Sequence, residues 1–299
     1  MKQTPYKRLD SLDVLRGFDL FMLTMVGGLV WVTANNVDLP WLTKFALANF
    51  EHVDWEGFAP WDLVMPLFMF MAGVSMPFAF SGYFKGEVSA GRMYWRITRR
   101  LLLLFLLGAV VQGNLLEFDW HRLRLFSNTL QAIGVGYFFT AIIVINVRDV
   151  KWQAGITAAL LAVFWICLAL FGDYTPHGNF ADKVDAAVLG HWRDCVTWDE
   201  TGWHFRDEYT YTWIFSSLNF TATVLLGWFA GLVLKGDKLS GCRKCLSLVA
   251  GGIVMIAAGR IMGRWHPIIK HIWSSSMTLY AGGICWVLMG IFDLVVDVC

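Results

Sequence analysis

The sequence predicts an all-α protein that crosses the membrane several times, and three observations support this. Of its 299 residues, 57% are hydrophobic and only 16% are charged, whereas soluble chains carry about 25% charged residues. Apolar runs of membrane-spanning length recur along the whole chain. The basic residues gather in alternate loops between those runs. A formal net charge of +1 excludes a basic nucleic-acid binder, and six scattered cysteines give no disulfide framework.

A spanning helix needs about 17 to 25 mostly apolar residues, and eight stretches meet or approach this length. The third and the seventh are short. We therefore predict about eight transmembrane helices in a single domain, residues 1–299. The predicted spans are Gly17–Thr33, Trp61–Phe80, Leu101–Leu116, Leu125–Ile145, Ala154–Phe171, Trp213–Leu234, Leu246–Met262 and Ser275–Val296.

The distribution of Lys and Arg predicts the orientation, because cytoplasmic loops are enriched in both. Fifteen of the 24 basic residues fall before the first span or in the loops after the second, fourth and sixth. The N-terminus is therefore predicted to be cytoplasmic. Residues 34–60 and 172–212 are then the two long loops on the outward side, and long loops in compact proteins are usually functional.

The first of these loops carries the most informative polar residues. His52, Asp54, Glu56 and Asp62 lie at the predicted outer mouth of the second span, and Asp62 enters it. An ionisable residue inside a span is costly and suggests function. A histidine beside carboxylates suits a general base or a nucleophile, but an interfacial histidine among solvated acids would show the same spacing. Spacing alone does not decide between them.

Five motifs resemble the heparan-α-glucosaminide N-acetyltransferase family of transmembrane acetyltransferases. The most specific is His-x-x-Trp-x-Gly-x-x-x-x-Asp-Leu-Val-x-Pro, followed by Phe-x-Phe-x-x-Gly-x-Ser, over residues 52–75. The others are the run at 8–19, Asn-Thr-Leu-Gln-Ala-Ile-Gly at 128–134, Leu-Gly-Trp-Phe-Ala-Gly at 226–231 and Ile-Trp-Ser-Ser-Ser at 272–276. The resemblance also implies two or three further helices beyond Cys299, so we expect either a shortened, bacterial-type member in the inner membrane or a truncated gene product.

This resemblance implies acetyl transfer across a membrane, from cytoplasmic acetyl-CoA to an amino sugar or glycan on the outward side. His52 would be the catalytic residue, either as a nucleophile that forms an acetyl-imidazole or as a general base. Asp62 would orient or charge-stabilise its ring. The resemblance further implies contact with membrane lipids and a possible homodimer. His266 and His271 lie in a basic segment, so we expect neither to replace His52.

Further polar residues are predicted to bind the substrates. Trp55 and Glu56 belong to the His52 motif, and Asn128, Gln131 and Asn219 are polar residues within apolar segments, where helix–helix contacts are the alternative role. Arg96, Arg99 and Arg100 are predicted to meet the phosphates of acetyl-CoA, although positive-inside bias accounts for most of this signal. The Cys242 and Cys245 pair lacks a second pair, so no metal site is expected.

Two other classes of function stay open at this stage. A transporter would use His52 and Asp62 in a proton path, but we find no matching broken helices in the two halves of the chain. A non-catalytic relative would keep the fold and bind a glycan or a partner, and the early end of the chain favours it. One family motif is also missing, because Tyr211-Thr-Trp-Ile replaces an acidic Asp-Pro-Glu-Gly stretch.

Overall fold

The computed structural model describes residues 9–37, 39–205, 211–237 and 239–298, and its regular structure is almost entirely helical. Its α-helices are α1 (Asp10–Asn36), α2 (Pro40–Phe50), α3 (Val64–Ala79), α4 (Ser81–Phe84), α5 (Ala90–Val111), α6 (Thr129–Asn146), α7 (Val150–Phe171), α8 (Phe180–Leu189), α9 (Ser217–Lys235), α10 (Gly241–Met262) and α11 (Ser275–Asp293). Helix α1 contains a π-helical turn at Met22–Val26, and a second π-helical turn, Leu294–Val298, follows the end of α11. Three 3-10 turns cover Pro60–Leu63, Leu115–Glu117 and Gly190–Trp192, and β1 (Val196–Asp199) pairs with β2 (Gly202–Phe205) as an antiparallel hairpin.

Helix α9 forms the centre of the bundle, where it contacts α3, α6, α7 and α11. Helices α10 and α11 pack against each other along their lengths. Helix α1 lies at the edge against α3 and α11, and it leaves large apolar side chains such as Leu29 exposed. An apolar surface of this kind is suited to lipid.

Two glycines allow α3 and α9 to approach closely. A methyl group added to Gly73 would overlap the Val224 carbonyl, and one added to Gly227 would overlap the Phe70 carbonyl. Small residues at such crossings let helix backbones meet, which is how helices associate within a membrane. The crossing fixes α3, and with it the preceding 3-10 turn that carries Asp62, against the centre of the bundle.

In the described part of the chain, seven helices are long and apolar enough to cross a membrane, whereas the sequence predicted about eight. The exception is the third predicted span, Leu101–Leu116. Its helix, α5, begins earlier, at Ala90, and its first half carries Arg92, Arg96, Arg99 and Arg100. Gln112 follows α5 and lines one cavity with His52 and with Asn128, the N-cap of α6. Helix α5 therefore still runs from one end of the bundle to the other.

Most other spans begin earlier or later than predicted. Helices α7 and α10 each begin several residues before the predicted start. Helix α6 begins later because Asn128 caps it by accepting a hydrogen bond from the Gln131 N–H, at 3.2 Å. Helix α9 begins at Ser217 rather than Trp213. Side-chain caps, which hydropathy does not detect, mark the starts of α6 and α7, where Asn128 and Asp149 accept hydrogen bonds from backbone N–H groups.

The segments predicted to face outward lie together at one end of the bundle, here called the outer end; the opposite end is the inner end. Residues 172–212 contain α8 and the β-hairpin. The Asp185 carboxylate accepts hydrogen bonds from the backbone N–H groups of Trp213 (2.6 Å) and Ile214 (2.9 Å). This carboxylate fastens α8 to the start of α9.

Candidate active site at the outer end of the bundle

Asp62 is held by the turn that begins the second predicted span. Pro60 starts a 3-10 turn, and the Asp62 Oδ2 atom accepts a hydrogen bond from the Ala59 N–H at 2.9 Å. The residue is only 1% exposed. This leaves the Oδ1 atom of Asp62 for side-chain partners, and a buried carboxylate needs such partners.

Two side chains meet at that oxygen. The Nδ1 atom of His52 lies 2.7 Å from Asp62 Oδ1, and the Nζ atom of Lys270 donates to the same oxygen at 3.1 Å. Lys270 Nζ also lies 3.0 Å from His52 Nδ1. Asp62 and Lys270 are both buried, whereas 45% of the His52 side chain is exposed. We call these three residues the His–Asp–Lys cluster.

Backbone contacts bring the segments that carry the cluster together. The Gly57 N–H donates to the Ile268 carbonyl at 2.8 Å, and Glu56 forms an isolated β-bridge with Ile269. The Thr212 N–H donates to the His271 carbonyl at 3.1 Å. Three segments distant in sequence are thus joined around His52, and the cluster is fixed by main-chain geometry.

The cluster opens onto a cavity of about 580 Å³. His52 and Lys270 lie on its wall beside Tyr211 and Trp213. Its other polar lining residues are Gln112, Ser127, Asn128 and Thr129, and its apolar lining residues are Leu20, Leu23, Trp61, Val64, Met65, Phe68, Leu130 and Ile133. A concave site with apolar walls and a few polar groups is typical of small-molecule binding.

The predicted substrate-binding residues occupy different positions around this cavity. Asn128 lines it. Gln131 is fully buried, and its side chain hydrogen-bonds to the backbone of Ser127 and Leu125. The Asn219 amide donates to the Trp273 carbonyl at 2.6 Å and is not among the lining residues. The structure therefore places Asn128 at the cavity and gives the other two amides contacts within the bundle.

Trp55 and Glu56 flank the cluster rather than line the cavity. The Trp55 indole donates to the Tyr174 carbonyl at 2.6 Å, and its ring stacks on His271 with centroids 5.7 Å apart. Glu56 is exposed, as is Asp54. Of the four acidic or basic side chains that the sequence grouped, the structure brings His52 and Asp62 into contact.

The three predicted phosphate-binding arginines lie far from the cluster. Arg96 and Arg99 are exposed on the first half of α5, and the Arg100 guanidinium lies 3.9 Å from the Tyr137 ring centroid. Arg96 precedes Gln112 by 16 residues of chain, so a helical rise of 1.5 Å per residue separates them by about 24 Å. These arginines are at the inner end, where they cannot contact the same part of a ligand as His52.

Both histidines near the last span are buried and carry structural contacts. His266 Nε2 accepts from the Ser275 N–H at 2.9 Å, and His266 Nδ1 lies 3.1 Å from the Tyr174 hydroxyl. Burial lowers the pKa of His266 to about 4. Burial also lowers the pKa of His271 to about 4, although the Asp62 charge opposes this. His271 nevertheless lies beside the cluster, where it stacks on Trp55, and the expectation that it does not replace His52 stays a prediction.

Lys270 is the residue of the cluster that sequence reasoning missed. It was counted only as one more charge in a loop, because its partner Asp62 lies 208 positions away. A signal was present, since Lys270 follows Pro-Ile-Ile in an apolar stretch that enters the last span. Burial lowers the pKa of Lys270, while the charge and the hydrogen bond of Asp62 raise it. Burial raises the pKa of the neighbouring Tyr211 hydroxyl, which therefore stays protonated.

Fold and site together define a multi-pass membrane protein with a partly exposed histidine, paired with a buried carboxylate, at the outer end of its bundle. No sequence-family model matches the chain. It is 23% identical to heparan-alpha-glucosaminide N-acetyltransferase of Mus musculus over 356 aligned positions, covering 99% of this chain and 50% of the relative. It is 22% identical to the Homo sapiens protein of the same name over 348 positions, covering 97% and 49%.

The chain is thus a distant relative of heparan-α-glucosaminide N-acetyltransferase, and the resemblance read from the motifs is confirmed at that level. The alignment extends over nearly all of the chain, so the bundle as a whole, and not one motif, carries the relationship. The chain spans about half the length of the curated relatives it matches.

Proposed function

We propose that this chain is a membrane-embedded acyltransferase, which transfers an acetyl group from acetyl-CoA to an amino sugar or glycan on the outward side. The observation that carries the proposal is the contact of His52 with a buried carboxylate at the wall of a cavity. The names of its two relatives support the reaction class. Location in a bacterial inner membrane and assembly as a homodimer stay predictions.

The orientation of the His52 ring supports a role in proton or acyl transfer. Its Nδ1 atom faces Asp62, so Nε2 is the ring nitrogen left for a substrate. In a direct reaction, Nε2 takes a proton from the acceptor as its amine or hydroxyl attacks the thioester carbonyl carbon. The C–S bond then breaks and CoA leaves as a thiolate, which needs a proton to become the thiol. His52 holds that proton.

In a covalent relay, the Nε2 lone pair of His52 attacks the thioester carbon instead. An N–C bond forms, the C–S bond breaks, and the CoA thiolate leaves and is protonated. The acceptor nitrogen or oxygen then attacks the acetyl-imidazole carbon, the N–C bond breaks, and the acceptor's proton is released. Asp62 stabilises the positive charge that the ring carries in either route, because the two groups are in direct contact.

The cavity supports binding of both substrates at one place. Its wall combines apolar side chains with Asn128 and Gln112, whose amides can hydrogen-bond an acceptor sugar or the amides of CoA. We propose that Arg96 and Arg99 act earlier, by attracting the negatively charged phosphates of CoA to the inner end. Their exposure supports this role.

The test is acetyl transfer from isotope-labelled acetyl-CoA to glucosamine by the purified protein in detergent. We expect His52→Ala to abolish transfer while the protein keeps its circular dichroism and its elution volume. His121→Ala is the matched control, because His121 is an exposed histidine at the outer end, and it should leave the rate unchanged.

Transfer by His52→Ala at the wild-type rate would contradict the role of His52. If the wild type transfers no label to glucosamine, to other amino sugars or to itself, the proposed activity is wrong. The chain would then be a transporter or a binding relative.

A further inference from the structure

The His–Asp–Lys cluster contains a conflict that decides how His52 can act. One ring nitrogen, Nδ1, lies within hydrogen-bonding distance of both a carboxylate oxygen and an ammonium nitrogen. An imidazole nitrogen has a single in-plane position, so it either donates a proton or accepts one. If Nδ1 donates to Asp62, then Nε2 keeps its lone pair. If Nδ1 accepts from Lys270, then Nε2 carries the proton and cannot act as base or nucleophile.

We propose that Lys270 is a positioning residue, which keeps Asp62 ionised and thereby holds the His52 proton on Nδ1. The tautomer of His52 is a property of the resting protein, so the inference rests on the proposed function only for the effect of that tautomer on catalysis. Lys270 donates to Asp62 Oδ1, the oxygen that faces His52 Nδ1 at the shorter distance, 2.7 Å. The ammonium thus satisfies the carboxylate directly and leaves Nδ1–H as the second donor to it.

The burial of Asp62 and Lys270 explains why loss of the ammonium would change the protonation of His52. Asp62 is 1% exposed and Lys270 is 6% exposed, and an unpaired buried charge is strongly disfavoured. Without the ammonium, the cheapest way to neutralise Asp62 is to take up one proton. That proton has two places to go, and both give the same result. On Asp62, the acid donates to Nδ1 and the ring proton moves to Nε2; on His52, both ring nitrogens are protonated.

The other groups around Lys270 do not supply the missing charge. The Tyr211 ring centroid lies 5.8 Å from Lys270 Nζ, and its hydroxyl is neutral because burial raises its pKa. His271, the next residue, is neutral because burial lowers its pKa to about 4. The charge balance is therefore set within the cluster itself, by Asp62, His52 and Lys270.

The test uses ¹⁵N NMR of the full chain labelled at its histidines, at pH 7.5 in nanodiscs. The His52 resonances are identified by their loss in His52→Gln. We expect wild type and Lys270→Arg to show a protonated Nδ1 and a bare Nε2. Lys270→Met, which has a side chain of similar length without charge, should show a protonated Nε2. Lys44→Met is the matched control on the exposed surface of α2 and should resemble the wild type.

Activity gives a second readout. Lys270→Met should lower kcat about 100-fold at pH 7.5, the size of a general-base contribution, with a smaller change in KM. Its kcat should recover as the pH rises and the extra proton leaves the cluster, whereas a merely structural defect would lower the rate equally at every pH. Lys270→Arg should keep most of the activity.

A wild-type His52 that carries its proton on Nε2 would overturn the inference, even if Lys270→Met failed to fold. A bare Nε2 in a folded Lys270→Met protein would overturn it too. If only the proposed function is wrong, the NMR spectra would still show the expected tautomers, but neither the wild type nor any variant would transfer acetyl.

Discussion

The Asp62 carboxylate meets one partner from 10 residues away in the chain and another from 208 residues away. The first could be predicted, because His52 and Asp62 belong to one motif at the mouth of one span. The second could not, because only the packing of α3, α9 and α11 brings the segment before α11 to the start of α3. At the residue scale, the sequence therefore predicted half of the charge pairing at the site and missed the cation that completes it.

Asp62→Asn tests the role of the carboxylate in this pairing. An asparagine oxygen can still accept the Nδ1–H of His52, but it cannot balance the charge of Lys270. We expect kcat to fall about 10- to 100-fold, which is less than the loss in His52→Ala, since an orienting partner supplies only part of the rate. Single-turnover rates with labelled acetyl-CoA measure this. A loss as complete as that of His52→Ala would show that Asp62 does more than orient the ring and stabilise its charge.

Helices and caps explain where sequence prediction succeeded and where it failed at the scale of elements. Helix α5 was predicted eleven residues too short at its start, because Arg92, Arg96, Arg99 and Arg100 interrupt its hydropathy. Within residues 172–212, α8 begins where the Asn179 side chain accepts from the Asp182 N–H at 2.8 Å. Neither the basic first half of α5 nor the Asn179 cap produces an apolar run, so hydropathy could not predict where these two helices begin.

The attachment of α8 to the bundle should depend on pH. Burial raises the pKa of Asp185 from 3.8 to about 7 and that of Asp194 to about 6. A carboxyl group whose pKa is higher in the folded protein than in the unfolded chain favours folding most at a pH where it is protonated in both. This contribution is complete below about pH 4 and is lost as the pH rises through 6 and 7, on the order of 1 kcal/mol per pH unit.

Hydrogen exchange of the α8 amides, corrected for intrinsic rates, measures this at pH 5 and pH 7. We expect several-fold faster opening at pH 7 in the wild type. Asp185→Asn should show a weaker pH dependence, because asparagine does not titrate. Equal opening at both pH values in the wild type would mean that both carboxylates are ionised without penalty in the folded protein.

Over the whole molecule, composition and loop charge predicted a multi-pass helical bundle, and the structure confirms that class. The basic helix turns of α5 and the His–Asp–Lys cluster lie at opposite ends of the bundle, as a donor and an acceptor on opposite sides of a membrane would require. The distance of about 24 Å along α5 is close to the roughly 30 Å of a hydrocarbon core. We therefore predict that transfer takes place across the bilayer.

Proteoliposomes with labelled acetyl-CoA inside and glucosamine outside test this claim most directly. Cys242, an exposed residue at the inner end, reports orientation through its reaction with a membrane-impermeant maleimide, and Cys242→Ser gives the background. We expect labelled N-acetylglucosamine outside, in proportion to the molecules whose Cys242 faces the lumen. We expect none with His52→Ala. Transfer only when donor and acceptor share one compartment, or transfer independent of His52, would contradict it.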